Sequence, residues 1–223
     1  MILSVTDLQK TIEEGERQRV LFSGVSLSLE PREFVAIEGR SGSGKSSFLN
    51  CIAGLTSYDS GTIKVTGQLM DPRQEERRSR LRLQHIGVVF QFFNLLPSLT
   101  LINNILLPAR LLGDTPTAAK EKAEHLCEEF GITHCMGKFP TQVSGGEAQR
   151  ASIARALINE PALVLADEPT GNLDHATAET VLEHLQMALS KRNCALLMVS
   201  HDPDVVAKAS RRCLLTQGVL QCG

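Results

Sequence analysis

The run "EFVAIEGRSGSGKSSFLNCIAGL", residues 33–55, constrains this chain more than any other stretch. Apolar and β-branched residues form a strand that runs straight into a glycine loop. The loop opens a helix, which Gly54 stops. Within it, Gly39 to Ser46 fits G-x-x-x-x-G-K-[ST] without a mismatch, in the strand–loop–helix context the pattern needs. The glycines let the backbone curl, so that successive N–H groups point at phosphate oxygens. Lys45 brings a positive charge to the β- and γ-phosphates, and the Ser46 hydroxyl can ligate Mg²⁺. The helix N-terminus adds its own partial charge. Gly39, Arg40, Ser41, Gly42, Ser43, Gly44, Lys45, Ser46 and Ser47 are therefore candidate triphosphate-binding residues. The loop alone does not separate kinases, GTPases, helicases and transport ATPases.

Further strands read as apolar runs: "HIGVVFQ", "PALVLADEP" and "CALLMVSHD". Between them lie helical patterns, such as "TAAKEKAEHLCEEFGI" with Ala123, Leu126 and Phe130 on one face. Continuous apolar strands alternating with helices predict an α/β fold around a mostly parallel sheet covered on both faces. "ILSVTDL", "RVLFSGVSLSLE" and "GTIKVTG" predict short strands, the first two as an antiparallel addition at the N-terminus. "VVAKASRRCLLTQGVLQCG" predicts a helix and a closing strand or hairpin. Residues 92–157 are strand-poor and predict a helical lobe, with residues 1–91 and 158–223 forming the core of a single domain.

At 223 residues, 42% hydrophobic and 22% charged, the chain is long enough to bury a core. A net charge of −2 and a pI near 6.3 leave no global nucleic-acid footprint, and nucleic acid is not an expected partner. The charged run at 71–85, "DPRQEERRSRLRLQH", interleaves acids and bases and predicts a solvated helix rather than a basic patch. The N-terminus lacks the features of a signal peptide, and no apolar run approaches the roughly 20 residues that span a bilayer. The expectation is a soluble chain whose membrane role, if any, comes through a partner. Six cysteines, at 51, 127, 135, 194, 213 and 222, include no C-x-x-C pair and predict reduced thiols, several as core filling.

"ALVLADEP" puts two carboxylates at the C-terminal end of a buried strand, where open α/β sheets present ligands. Asp167 is the natural Mg²⁺ partner. Glu168, pointing differently, is placed to polarise an attacking water. "LLMVSHD" ends likewise in His201, and "IGVVFQ" in Gln91, whose amide can reach Mg²⁺ or the water at the junction with the helical stretch. A second small-residue turn, Ser144, Gly145 and Gly146, opens the helix "EAQRASIARAL". It reads either as a plain N-cap or as a second anion site. If each chain supplies one half, two chains arranged head to tail bury two nucleotides between the Lys45 loop of one and the Ser144 turn of the other.

"GRSGSGKSS", "VFQ", "VSGGEAQR", "LVLADEP", "GNLD" and "VSHD", in this order and over essentially the full length, resemble an ABC-type ATPase, the nucleotide-binding subunit of an ABC transporter. "IGVVFQFFNLLPSLTLINNILLPARL" and "LADEPTGNLD" are similar to the lipoprotein-release, macrolide-export and cell-division subclass. The resemblance implies a P-loop NTPase (RecA-like) core, ATP and Mg²⁺ as ligands, and an ATP-dependent homodimer. It implies an integral membrane permease-type partner with a large extracytoplasmic domain, and a peripheral position on the inner face of a bacterial cytoplasmic membrane. The work driven is then export, lipoprotein extraction or mechanotransmission. By the same resemblance Ser46, Gln91 and Asp167 serve Mg²⁺, Glu168 is the base, Lys45 and His201 complete the catalytic set, and His201 is the switch. Ser144, Gly145, Gly146 and Glu147 close over the partner chain's ATP, and Asp174 of "GNLD" meets the dimer interface. Residues 91–101 form part of a groove for the membrane partner. The cargo is not legible.

Two departures stand out. The family's adenine-stacking ring falls at Ile12, which packs less well against a base; Phe22 substitutes only if its loop rearranges. Val143 stands where Leu is usual. Two alternatives follow: a non-transport soluble ABC ATPase, and a regulatory subunit that hydrolyses ATP weakly.

Overall fold

The structure, a computed structural model, describes residues 1–15 and 17–223. Two sheets share the chain. The first is antiparallel, built from β1 (Leu3–Glu14), β2 (Arg17–Leu29), β4 (Ser60–Val65) and β5 (Gln68–Leu69), in the order β2-β1-β4-β5. The second comprises β3 (Phe34–Glu38), β6 (Ile86–Val89), β7 (Leu163–Asp167), β8 (Ala195–Val199), β9 (Arg211–Thr216) and β10 (Val219–Cys222). Its order is β10-β9-β3-β8-β7-β6, parallel throughout except for β10. The predicted mostly parallel core and antiparallel N-terminal addition are both present.

Strand side chains alternate between faces, and the strands β3, β8, β7 and β6 are buried on both. Leu163, Leu165 and Leu197 join one apolar cluster with α1 (Lys45–Ile52) and the antiparallel sheet. Val164, Ala166, Leu196 and Met198 join the other. That second cluster takes its helical side from α3 (Leu101–Leu112), α4 (Pro116–Glu129), α5 (Gly145–Leu157) and α6 (His175–Ser190). The continuous apolar strands follow from this two-sided burial. Ala123 and Leu126 are buried on α4, and Phe130 just beyond its end. Pro108 lies inside α3, which continues past it. At Gly87 on β6 the helical layer comes close: a Cβ there would lie 2.3 Å from the Ala156 carbonyl oxygen of α5, so backbone rests on backbone.

Of the run 71–85, residues 75–85 form a helix, α2 (Glu75–His85), with Leu81 as its one buried residue, and 71–74 lead into it as a turn. Arg82 donates back to the carbonyls of Ala53 and Gly54. Among the described residues no helix is long and apolar enough to cross a membrane.

The cysteines require a correction. Cys51, Cys127, Cys135 and Cys194 are buried and free, as expected, and burial pushes Cys127 up to about 11 and Cys194 to about 12. Cys213 and Cys222, however, are joined by a disulfide. The closing hairpin sets them directly opposite on β9 and β10, a register that their spacing in the sequence did not reveal.

Candidate functional site

The strand order lays the motifs side by side. β3, β8, β7 and β6 are consecutive and parallel, so their C-terminal ends form one row. That row delivers the Gly39–Ser46 loop, His201, the Asp167–Glu168 pair and, just past β6, Gln91. A cleft of about 500 Å³ lies over it, lined by Ile12, Arg19, Gly42, Lys45, Gln91 and Glu168 among others.

The loop delivers Lys45 as the first residue of α1, behind Gly44. The ammonium group donates to the Gly39 and Arg40 carbonyls at 2.8 and 3.0 Å, holding the loop in a closed curl. One residue on, the Ser46 hydroxyl donates to Asp167 Oδ1 at 3.0 Å, joining loop and acid strand. Burial raises the Asp167 pKa, as does the Glu168 charge, while Ser46 and Lys45 oppose them. An oxygen-donor pair whose carboxylate is short of positive charge suits a hard divalent cation, so Ser46 and Asp167 fit Mg²⁺.

Glu168 follows at a positive φ of 43°, a conformation that costs a non-glycine residue energy and turns its side chain away from that of Asp167. His201 Nδ1 lies 3.2 Å from Glu168 Oε1. A Cβ placed on Gly171 would stand 3.2 Å from Gln91 Nε2 and 3.3 Å from Glu168 Oε2, so these two side chains border one space. Asn172 donates to the Gln91 carbonyl at 2.8 Å. Lys45, Asp167, Glu168, Gln91 and His201 thus converge.

The Ser144 turn is a separate feature. Ser144 caps α5 in a reciprocal capping box with Glu147. Glu147 N–H donates to Ser144 Oγ at 3.3 Å, while Glu147 Oε2 accepts from the Ser144 N–H and hydroxyl at 2.8 and 2.7 Å. The hydroxyl and main-chain hydrogen bonds from Ser144, with His134, hold Glu147 down to about 2. Gly145 and Gly146 have a packing role besides any anion-binding one. A Cβ on Gly146 would lie 2.5 Å from Thr177 Cγ2, and one on Gly145 3.3 Å from Leu173 Cδ2. Asp174 caps α6, accepting from the Thr177 N–H and hydroxyl at 3.1 and 2.6 Å.

Arg19 is a site residue that sequence reasoning missed. It is the cross-strand partner of Ile12, and it donates to the Gly42 carbonyl at 2.8 Å. Only the hairpin register, interrupted by irregularities in β1, brings it there. Phe22 is fully buried, edge-on to Phe48, and is no substitute for a stacking ring.

A second groove, about 750 Å³, is lined by Leu83, Phe90, Asn94, Leu111, Leu112 and Arg155 among others. Of the expected 91–101 stretch Asn94 reaches it; most of the rest of its wall comes from α2, β6 and the ends of α3 and α5. Arg155 donates to the Phe93 and Asn94 carbonyls, tying this loop to α5.

Residues 22–171 match the family model described as ABC transporter. The chain is 41% identical over 218 residues to the lipoprotein-releasing system ATP-binding protein LolD of Hydrogenovibrio crunogenus, covering 98% of this chain and 95% of that protein. It is 41% identical over 210 residues to an uncharacterized ABC transporter ATP-binding protein of Mycobacterium tuberculosis, covering 94% and 85%. Among solved structures it is similar to the dimeric post-hydrolysis state of the ATP-binding cassette MJ0796 bound to ADP and Pi. That match has a TM-score of 0.92 at 30% identity and covers 100% of this chain and 98% of that one.

Proposed function

The chain belongs to the ABC transporter ATP-binding family, and from that premise we propose that it is the ATP-hydrolysing subunit of a lipoprotein-releasing or related membrane machine. Two chains pair head to tail around two nucleotides. Each nucleotide lies between the Lys45 loop of one chain and the Ser144–Glu147 turn of the other, with Asp174 at the interface. The supporting observation is the row of strand ends that puts Lys45, Gln91 and Glu168 on one cleft, with Asp167 held to it by Ser46 and His201 beside Glu168 at its edge.

Each residue has a task. The loop amides and Lys45 bind and orient the triphosphate. Ile12, Leu21 and the Arg19 guanidinium meet the base, a planar cation taking the place of the aromatic ring. Ser46, Asp167 and Gln91 hold Mg²⁺, which when bound neutralises charge on the phosphate oxygens. Glu168 accepts a proton from the attacking water and orients it in line. His201 steadies the Glu168 carboxylate and reports the γ-phosphate. Gln91 couples that state to residues 92–157, which move as a lobe against the core. The groove beside Phe90 and Asn94 receives a helix of an integral membrane partner with a large extracytoplasmic domain. The chain then sits peripherally on the inner face of the cytoplasmic membrane.

The test is Glu168→Gln. Hydrolysis should fall by about 10²- to 10⁴-fold, while an ATP-bound dimer accumulates on size-exclusion chromatography. Normal turnover in that variant sinks the assignment of the base. The same variant, tagged and captured with ATP from gently solubilised membranes, should bring a polytopic protein with it. Recovery with ribosomes or DNA instead removes the membrane role and leaves the ATPase chemistry.

A further inference from the structure

We propose that His134, Cys135 and Glu147 form a binding site for a zinc-class divalent cation, next to the Ser144 turn and apart from the cleft that Lys45 lines in the same chain. His134 and Cys135 are consecutive in a 3₁₀ turn, Thr133–Cys135, and Glu147 lies in the first turn of α5. One nitrogen, one sulfur and one carboxylate oxygen lie within 4.8 Å of one another, and His134 Nε2 is 2.7 Å from Glu147 Oε1. Tetrahedral zinc with bonds of about 2.0–2.3 Å holds its ligands roughly 3.3–3.7 Å apart, so the widest separation closes by no more than about an ångström and the His134–Glu147 pair opens by about half of one.

The donor set selects the metal. A thiol beside an imidazole suits a borderline-soft cation and disfavours Mg²⁺ or Ca²⁺. Access is one-sided. The His134 side chain is 61% exposed, whereas Cys135 is buried at the base of the cluster. The turn is fixed before any metal arrives. Cys135 N–H donates to the Ile132 carbonyl at 3.1 Å, and Met136 and Lys138 offer their carbonyls to the N–H groups of Ile102 and Leu101, both at 2.9 Å. Binding forms a metal–sulfur bond and releases the thiol proton to solvent.

The carboxylate divides its oxygens. Oε1 faces His134 and takes the metal, while Oε2 continues to accept from Ser144. An occupied site therefore has the Ser144 cap as its outer shell, and outer-shell hydrogen bonds tune and rigidify the ligands they hold.

The experiment titrates the purified full-length chain, stripped with chelator and kept non-reducing, with Co²⁺ and then Zn²⁺. The expected result is one equivalent of Co²⁺ with a thiolate-to-cobalt charge-transfer band, erased by Zn²⁺. His134→Ala and Cys135→Ser should each weaken binding by about 100-fold or more. Cys135→Ser leaves the other five cysteines in place, so a band that survives it belongs to them and overturns the proposal. Absence of the band in the unmodified chain overturns it equally. His134→Ala changes only an exposed side chain, so the test stands even if Cys135→Ser fails to fold. Neither failure touches the ATPase reading.

Discussion

The two glycine-bearing turns of this protein are alike in sequence and opposite in structure. The Gly39–Ser46 loop is held by its own Lys45, which folds over it, and also from afar: Ser46 reaches 121 residues along the chain to Asp167, and Arg19 donates to the Gly42 carbonyl. The Ser144 turn turns inward: its hydroxyl and N–H are both spent on Glu147, three residues away. The first is therefore assembled by tertiary structure within one chain. The second is satisfied locally, and in the proposed dimer it becomes a nucleotide contact only when another chain meets it. A glycine turn before a helix says where an anion fits, and long-range contacts say whether the same chain brings the rest.

This contrast is open to measurement. The largest expected effect is on Lys45→Ala, which should weaken ATP binding by the monomer about 100-fold by equilibrium fluorescence titration, as loss of a charge-assisted contact does. Ser144→Ala should leave monomer binding unchanged yet lower ATP hydrolysis about tenfold in a coupled assay. The same change removes the helix cap and should reduce unfolding free energy by about 1 kcal/mol in urea. If Ser144→Ala weakens monomer binding as much as Lys45→Ala does, the division between the turns collapses.

Acid sharpens the inward half. The carboxyl of Glu147 lies at about 2 when folded, against 4.5 ordinarily. A depressed carboxylate contributes stability above its ordinary value and loses it as protons bind. Wild-type stability should therefore decline from about pH 4.5 toward pH 2, and Glu147→Gln should flatten that part of the profile in acid-melting curves. The smallest effect is expected at Arg19→Ala. A partly exposed guanidinium over a base is worth about 0.5–1 kcal/mol, so KM for ATP should rise about two- to fivefold with little change in kcat. A KM that does not move assigns the base to Ile12 and Leu21 alone.

Much of this was legible in the sequence because strands and loops announce themselves. Leu163 to Asp167 and Ala195 to Val199 are apolar runs ending in polar residues, and their burial on both faces needs no knowledge of the order in which they pair. The order itself, which sets His201 between the phosphate loop and Asp167, is a property of the sheet rather than of any strand. Arg19 and the Cys213–Cys222 bond escaped for a related reason: both depend on hairpin register, which local patterning leaves open. In sequence Gly146 reads as part of an N-cap or as room for an anion, yet it is also the point where α5 passes Thr177. Proximity between helices leaves no mark in either helix alone.

The backbone contact between Gly87 and Ala156 gives the molecule a fulcrum. α5 spans 13 residues, about 20 Å of stiff rod, with the Ser144 turn at its far end and its near end seated on β6. There is no intervening side chain to change rotamer and absorb a displacement. A tilt of about 10° about that seat would carry the Ser144 end through about 3 Å on an arm of about 18 Å. A residue larger than glycine at 87 would lift the rod from its seat and let the two ends move without each other.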